Sequence, residues 1–275
     1  MPGCYRESRR CALIIGHPGH ELRVWGWMRL TRPLVAVLTD GAGHHGRSRL
    51  DLSRTVCTAA GATPSEHFGL MSDADVYQAL LDGDVERFTG CAAILSDWLI
   101  AQGIEVVAGD AVEGYNPTHD LCRAIIDAAV RQASIVRPIE TFAFDLTGRP
   151  GPPADGADAV AVALDAETLA AKLDTCESYG RAVGGTLLDE IHQMLAAFGS
   201  EPFGTEYLRR HDPWTAAAGE HSGGRPFYET YGEQRVSSGH YQQVIRQAEH
   251  LEPVQRALRA VGRPRLVAPV QAHSE

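Results

Sequence analysis

Short β-branched runs alternate with longer amphipathic segments along the first two thirds of the chain, and this alternation restricts the fold more than any other feature. "CALIIG" at 11–16, "LVAVLTD" at 34–40 and "IEVVAGD" at 104–110 read as buried strands. Each is followed by a stretch with helical periodicity, at 21–30, 47–62 and 118–133. Further helices are predicted at 73–82 and 84–102. A Pro/Gly/Asp-rich turn at 148–158 precedes a strand at 159–164 and a helix at 165–183. Strand–helix alternation of this kind predicts an α/β fold, with a mostly parallel Rossmann-like sheet flanked by helices. The last hundred residues carry a helical segment at 185–199 and a core-facing stripe through Tyr241, Val244, Ile245, Ala248, Leu251 and Leu258. The expected organisation is therefore an α/β domain over residues 1–183, with a helical extension packed on it over 184–275.

In an open parallel sheet, ligands bind outside the carboxyl ends of the strands. Three polar loops fall there: "GHPGHE" at 16–21, "TDGAGHHGR" at 39–47 and "EGYNPTHD" at 113–120. They carry His17 and His20 around a Pro-Gly turn, and His119 at the start of a helix. Two ligands close in sequence and a third far away suit a catalytic zinc site, which keeps one position open for water. Three imidazoles also accept Fe2+, Co2+ or Ni2+. The remaining histidines lack ligand spacing, and "GAGHHG" lacks both the P-loop Lys-Ser/Thr and a G-x-G-x-x-G pattern.

Charge and cysteine usage narrow the surroundings. The formal net charge is -10 over 275 residues, with no basic cluster. That argues against nucleic acid or an anionic membrane as the partner and leaves a small-molecule substrate. Six scattered cysteines form no C-x-x-C pair, as expected for free thiols in a reducing compartment. No signal-type or membrane-spanning apolar stretch is visible, so the expected location is the cytoplasm. The oligomeric state is left open, a homo-oligomer included.

The segments "CALIIGHPGHEL", "LVAVLTDGAG", "R…AAGA" and "GYNPTHDLCRA" together resemble the PIG-L/LmbE-like zinc amidohydrolases, which remove N-acyl groups from amino sugars and related metabolites. The resemblance covers roughly residues 11–183. It implies that His17 is the first metal ligand, that His20 stands where the second ligand is usually an Asp, and that His119 is the third. It implies a substrate contact for Arg49, and it matches "AKLDTCESYG" to a Lys-containing helix ending in Tyr-x-x-Gln.

The same alignment exposes departures. The usual general base is an Asp where this chain has Gly19, and the usual H-P-D-H reads Asn116, Pro117, Thr118, His119. An Asp-to-His ligand change makes the metal complex one unit more positive, which favours an acidified bound water. Losing a general base costs about 10²–10⁴-fold. Glu113 and Asp120, which bracket the His119 loop, are the expected replacement acids, and Asn116 is the expected oxyanion donor. Restoring an acid at position 19 is expected to raise hydrolysis. The favoured expectation is a metal-dependent deacetylase-like hydrolase acting on an N-acylated amino sugar or related metabolite. The alternatives are a non-hydrolytic metalloenzyme on the same fold and a catalytically silent ligand-binding protein.

Overall fold

The computed structural model describes residues 9–43, 46–153, 156, 158–184, 186–215 and 224–262. Strand β1 (Cys11–Ile15) runs into a loop and a 3-10 turn at His20–Val24, then helix α1 (Trp25–Thr31). There follow β2 (Leu34–Thr39), α2 (Leu50–Ala59), β3 (Thr63–Met71), α3 (Asp73–Leu81), α4 (Val85–Ala101), β4 (Val106–Asp110), α5 (Pro117–Ala133) and β5 (Glu140–Phe144). The chain closes with β6 (Ala159–Ala163), α6 (Ala166–Val183), α7 (Thr186–Phe198), β7 (Thr205–His211), α8 (Phe227–Ser237) and α9 (Glu252–Ala260).

The seven strands form one sheet in the order β3-β2-β1-β4-β5-β7-β6. Strands β3 to β5 pair in parallel, as in Ile14↔Ala36 and Ile14↔Gly109, whereas β7 runs antiparallel to both β5 and β6. The expected mostly parallel, helix-flanked sheet is thus the one observed. Side chains alternate along each parallel strand, so each strand feeds two cores. Ala12, Ile14, Ala36, Leu38 and Val107 pack toward α4, α5 and α9. Leu13, Ile15, Val35, Val37, Val106 and Ala108 face the core built around Trp27, Met28 and Cys57. Burial on both faces is why these strands read as continuous apolar runs.

The C-terminal segment was expected to be helical, yet it contributes β7 to the sheet. "TEYLRRH" buries alternate residues, Glu206 and Leu208, with half-buried Tyr207 between them and exposed Arg210 beyond. Glu206 is held there because its carboxylate accepts the Gly26 and Trp27 amides, at 2.8 and 2.7 Å, and pairs with Lys172 Nζ at 2.7 Å. One buried acid therefore satisfies the orphan amides at the start of α1 and ties α1, α6 and β7 together. Helix α9 packs on α4 and α5, where Val254 and Leu258 are fully buried. No helix among the described residues is long and apolar enough to cross a membrane. The five cysteines among them are free.

Candidate active site

From β1 the chain moves outward on one side to β2 and β3, while β4 and β5 lie on the other side. The order therefore reverses between β1 and β4, and the crevice above a reversal is where an open α/β sheet binds ligands. His17 and His20 follow β1, Asp110 ends β4 and His119 follows it. The structure gathers the three predicted histidines at this point: ring centroids are 5.3 Å apart for His17–His20, 5.2 Å for His17–His119 and 4.5 Å for His20–His119. The rings meet edge to face. Among the described residues, no group of three or more His, Cys, Asp or Glu side chains is arranged to hold a metal ion.

What holds the rings is built in detail. Thr39 spends its hydroxyl proton on the Gly16 carbonyl at 3.0 Å, so its oxygen accepts from His17 Nδ1 at 2.7 Å. Asp73 Oδ1 lies 3.1 Å from the same nitrogen. His17 therefore carries its proton on Nδ1 and its lone pair on Nε2, a buried atom with no hydrogen-bond partner. Asp110 is fully buried at the end of β4; its Oδ2 accepts the Gly16 amide at 2.7 Å and faces His20 Nδ1 at 2.9 Å, leaving the His20 lone pair on Nε2. Burial holds His17 below the ordinary histidine range, offset in part by Asp73, and holds His119 well below it. Both rings are neutral at pH 7, and His119 Nδ1 is also buried without a partner.

Local sequence explains the placement. Asn116 caps α5 by accepting the Thr118 amide at 2.8 Å, and Pro117 occupies the first turn, where its missing N–H costs nothing. This sets His119 in the first turn, facing the crevice. Arg123, one helical turn further, donates to the Asp110 carbonyl at 2.7 Å and fixes the end of β4. On the other side, Gly19 takes φ of 109°, which L side chains rarely adopt. Its amide donates to Glu21 at 2.7 Å, and the buried Glu21 carboxyl accepts the Ser53 hydroxyl. Glu21 is a brace under the histidine loop, and burial pushes its carboxyl up.

The two expected replacement acids are engaged elsewhere, which corrects their assignment as proton carriers. Glu113 accepts the Leu146 and Thr147 amides at 3.0 and 2.9 Å and the Thr147 hydroxyl at 2.5 Å. Asp120, pushed up to about 7 by burial, accepts the Glu113 and Gly114 amides at 3.1 and 3.2 Å. Both staple loops, and neither lines the crevice. The crevice is a cleft of about 1610 Å³ whose walls include the three histidines, Arg49 and Asn116. Arg49 reaches it from the start of α2, anchored by Nε on the Gly41 carbonyl at 2.6 Å.

Sequence reasoning missed three residues here. Asp110 and Asp73 orient ligand-type histidines from 90 and 56 positions away; the signals were an acid ending the β4 run and an acid opening α3 in "SDAD". Glu190 on α7 is the third. The other cleft carboxylates are all bound: Asp73 to the Gly43 amide, Asp82 to Gln78, Asp145 to Arg209 and Glu206 to Lys172. Among the described residues Glu190 has no such partner, and partial burial pushes it up against the pull of Arg49. The C-terminal aromatics divide: Tyr228 and Tyr231 line the cleft, while Glu229 is held by Arg225, Arg246 and the Gln247 amide.

The sequence matches no family model and no curated protein. Among solved structures, the chain resembles the A40926 pseudoaglycone deacetylase Dbv21, with a TM-score of 0.50 and 16% identity over 76% of this chain and 99% of that one. A triple mutant of the deacetylase Orf2 from the teicoplanin pathway gives 0.47 and 15% identity, covering 74% and 99%. The zinc-inhibited form of teicoplanin deacetylase Orf2 gives 0.44 and 12%, covering 74% and 99%. At 16% identity the likeness to Dbv21 is one of fold alone, a mostly parallel sheet flanked by helices.

Proposed function

We propose that this chain is a metal-dependent, deacetylase-like hydrolase that acts on an N-acylated amino sugar or related small metabolite, with His17, His20 and His119 as the metal ligands. The observation that carries the reading is the fixed chemistry of the imidazoles at the strand reversal. Asp110 and the Thr39–Asp73 pair hold the Nδ1 protons of His20 and His17, as carboxylates and hydroxyls do behind metal-bound histidines. Buried His17 Nε2 and His119 Nδ1 are left without partners. A donor set of neutral nitrogens fits Zn2+, or alternatively Fe2+, Co2+ or Ni2+, once the rings turn from their mutual edge contacts. Such an ion, when bound, supplies Lewis-acid polarisation and an acidified water.

The chain's own residues supply the rest. Arg49 binds hydroxyl or anionic groups of the substrate from beside His17. The Asn116 side-chain oxygen is taken by the Thr118 amide, so its NH2 is the end free to donate to the acyl oxygen. Glu190 is the cleft acid suited to carry a proton to the leaving amine, in the role for which Gly19, Glu113 and Asp120 are unfit. We read residues 1–183 as the metal-binding domain and 184–275 as the extension that walls its cleft and supplies Glu190, working in the cytoplasm, where buried free thiols stay reduced.

One observation favours a second reading. Tyr179 packs over Gly19, so an acid at the usual base position would be crowded by its ring, and a non-hydrolytic metalloenzyme needs no acid there. Product analysis separates the two. Incubating metal-loaded protein with a panel of N-acetylated amino sugars should release acetate; conversion of the panel without acetate release would support the second reading.

A further inference from the structure

Three rings stand exposed at the cleft wall in near-parallel array. Tyr115 stacks on Phe227 at 5.0 Å and 4°, and Phe227 stacks on Tyr231 at 5.9 Å and 24°. The array is joined to the histidine cluster, since the Tyr115 ring lies 6.4 Å from His119. Their exposures are 42%, 50% and 41%, high for rings that line a cavity. Tyr115 comes from the His119 loop, whereas Phe227 and Tyr231 are one turn apart on α8, so two distant segments converge to make the array.

From this we infer that the cleft carries an aromatic subsite, formed by Tyr115, Phe227 and Tyr231, which binds a flat aryl group on the substrate next to the part that reaches the histidines. The inference rests on the proposed hydrolase reading only for which part of the substrate is cleaved. Stacked rings cover one another's faces and leave their rims exposed. A ring rim is the positive edge of the aromatic quadrupole and prefers the face of another ring. An aryl group laid across the rims meets edges from more than one ring, whereas a saturated ring of the same size gains only area. Cleft size agrees: about 1610 Å³ exceeds the roughly 300–1,000 Å³ of an ordinary small-molecule pocket, so a single sugar leaves much of it unfilled.

Calorimetric titration of the full chain with methyl, phenyl and cyclohexyl glycosides of N-acetyl-β-D-glucosamine, and with 2-naphthol as a sugar-free probe, tests this. The phenyl glycoside should bind at least about tenfold more tightly than the methyl glycoside and about threefold more tightly than the cyclohexyl one. Phe227→Ala and Tyr231→Ala, made at half-exposed positions and checked by melting temperature, should each cut the phenyl advantage to under about threefold. Equal affinities in the unaltered chain overturn the subsite. So does a cyclohexyl glycoside that matches the phenyl one, an advantage that survives both substitutions, or no binding of any probe. The two readings fail separately. Phe227-dependent binding of 2-naphthol without binding or cleavage of any glycoside keeps the subsite and removes the hydrolase. Deacetylation of the methyl glycoside with no aryl preference does the reverse.

Discussion

The phenol of Tyr179 stands over Gly19, with its hydroxyl and Cε1 each 3.2 Å from the point a β-carbon at residue 19 would occupy. The hydroxyl is buried without a hydrogen-bond partner, and burial pushes its ionisation up, so it stays neutral at pH 7. Gly19 itself sits at φ of 109°. A side chain at position 19 is thus disfavoured twice, by a backbone conformation that L residues rarely adopt and by a ring that would have to give way by a few tenths of an ångström.

Gly19→Asp should therefore destabilise the protein by about 1–3 kcal/mol and should not raise amide hydrolysis. This reverses the expectation drawn from sequence, where position 19 looked like a vacated base site. Melting temperature and acetate release check it together; a tenfold gain in rate at unchanged stability would contradict it.

Glu190→Gln should lower kcat by about 10²-fold or more while leaving KM within about threefold, as for loss of a proton carrier that does not hold the substrate. Glu113→Gln and Asp120→Asn should act through the loops they staple, lowering thermal stability more than kcat. Steady-state kinetics on an N-acetylated amino sugar distinguish these outcomes. A larger kcat loss in Asp120→Asn than in Glu190→Gln would return the role to Asp120.

Glu206→Gln should cost about 3–5 kcal/mol of stability, because it strands the buried Lys172 ammonium. The pair is 5% and 1% exposed, and the same carboxylate caps α1. Chemical denaturation measures this. A loss under about 1 kcal/mol would mean that the pair is solvated and that β7 is not tied to α1 through it.

The legible parts of this chain were those whose chemistry is local. Strands β1, β2 and β4 announce themselves as apolar runs because both faces are buried, and α5 through its Asn-Pro cap. Strand β3, "TPSEHFGLM", is a polar edge strand whose register slips against β2, so no clean period survives in its sequence. Strand β7 does alternate, but its charged residues mask the pattern: Glu206 is buried only because Lys172 and two amides meet it from distant segments. The histidines were legible from their loops; their carboxylate partners were not, since Asp110 and Asp73 reach them only through the strand order. Glu113 and Asp120 looked like free acids because backbone amides, which a sequence does not display as partners, hold them.

The central claim is that His17, His20 and His119 together hold a divalent ion. Elemental analysis of purified wild type and of the His17→Ala, His20→Ala and His119→Ala variants, with Asp110→Asn alongside, tests it most directly. The expected result is about one divalent ion per chain in the wild type, loss of the ion in each alanine variant, and roughly 10–100-fold weaker binding in Asp110→Asn. A wild type that binds no ion, or three alanine variants that keep full occupancy, would contradict it.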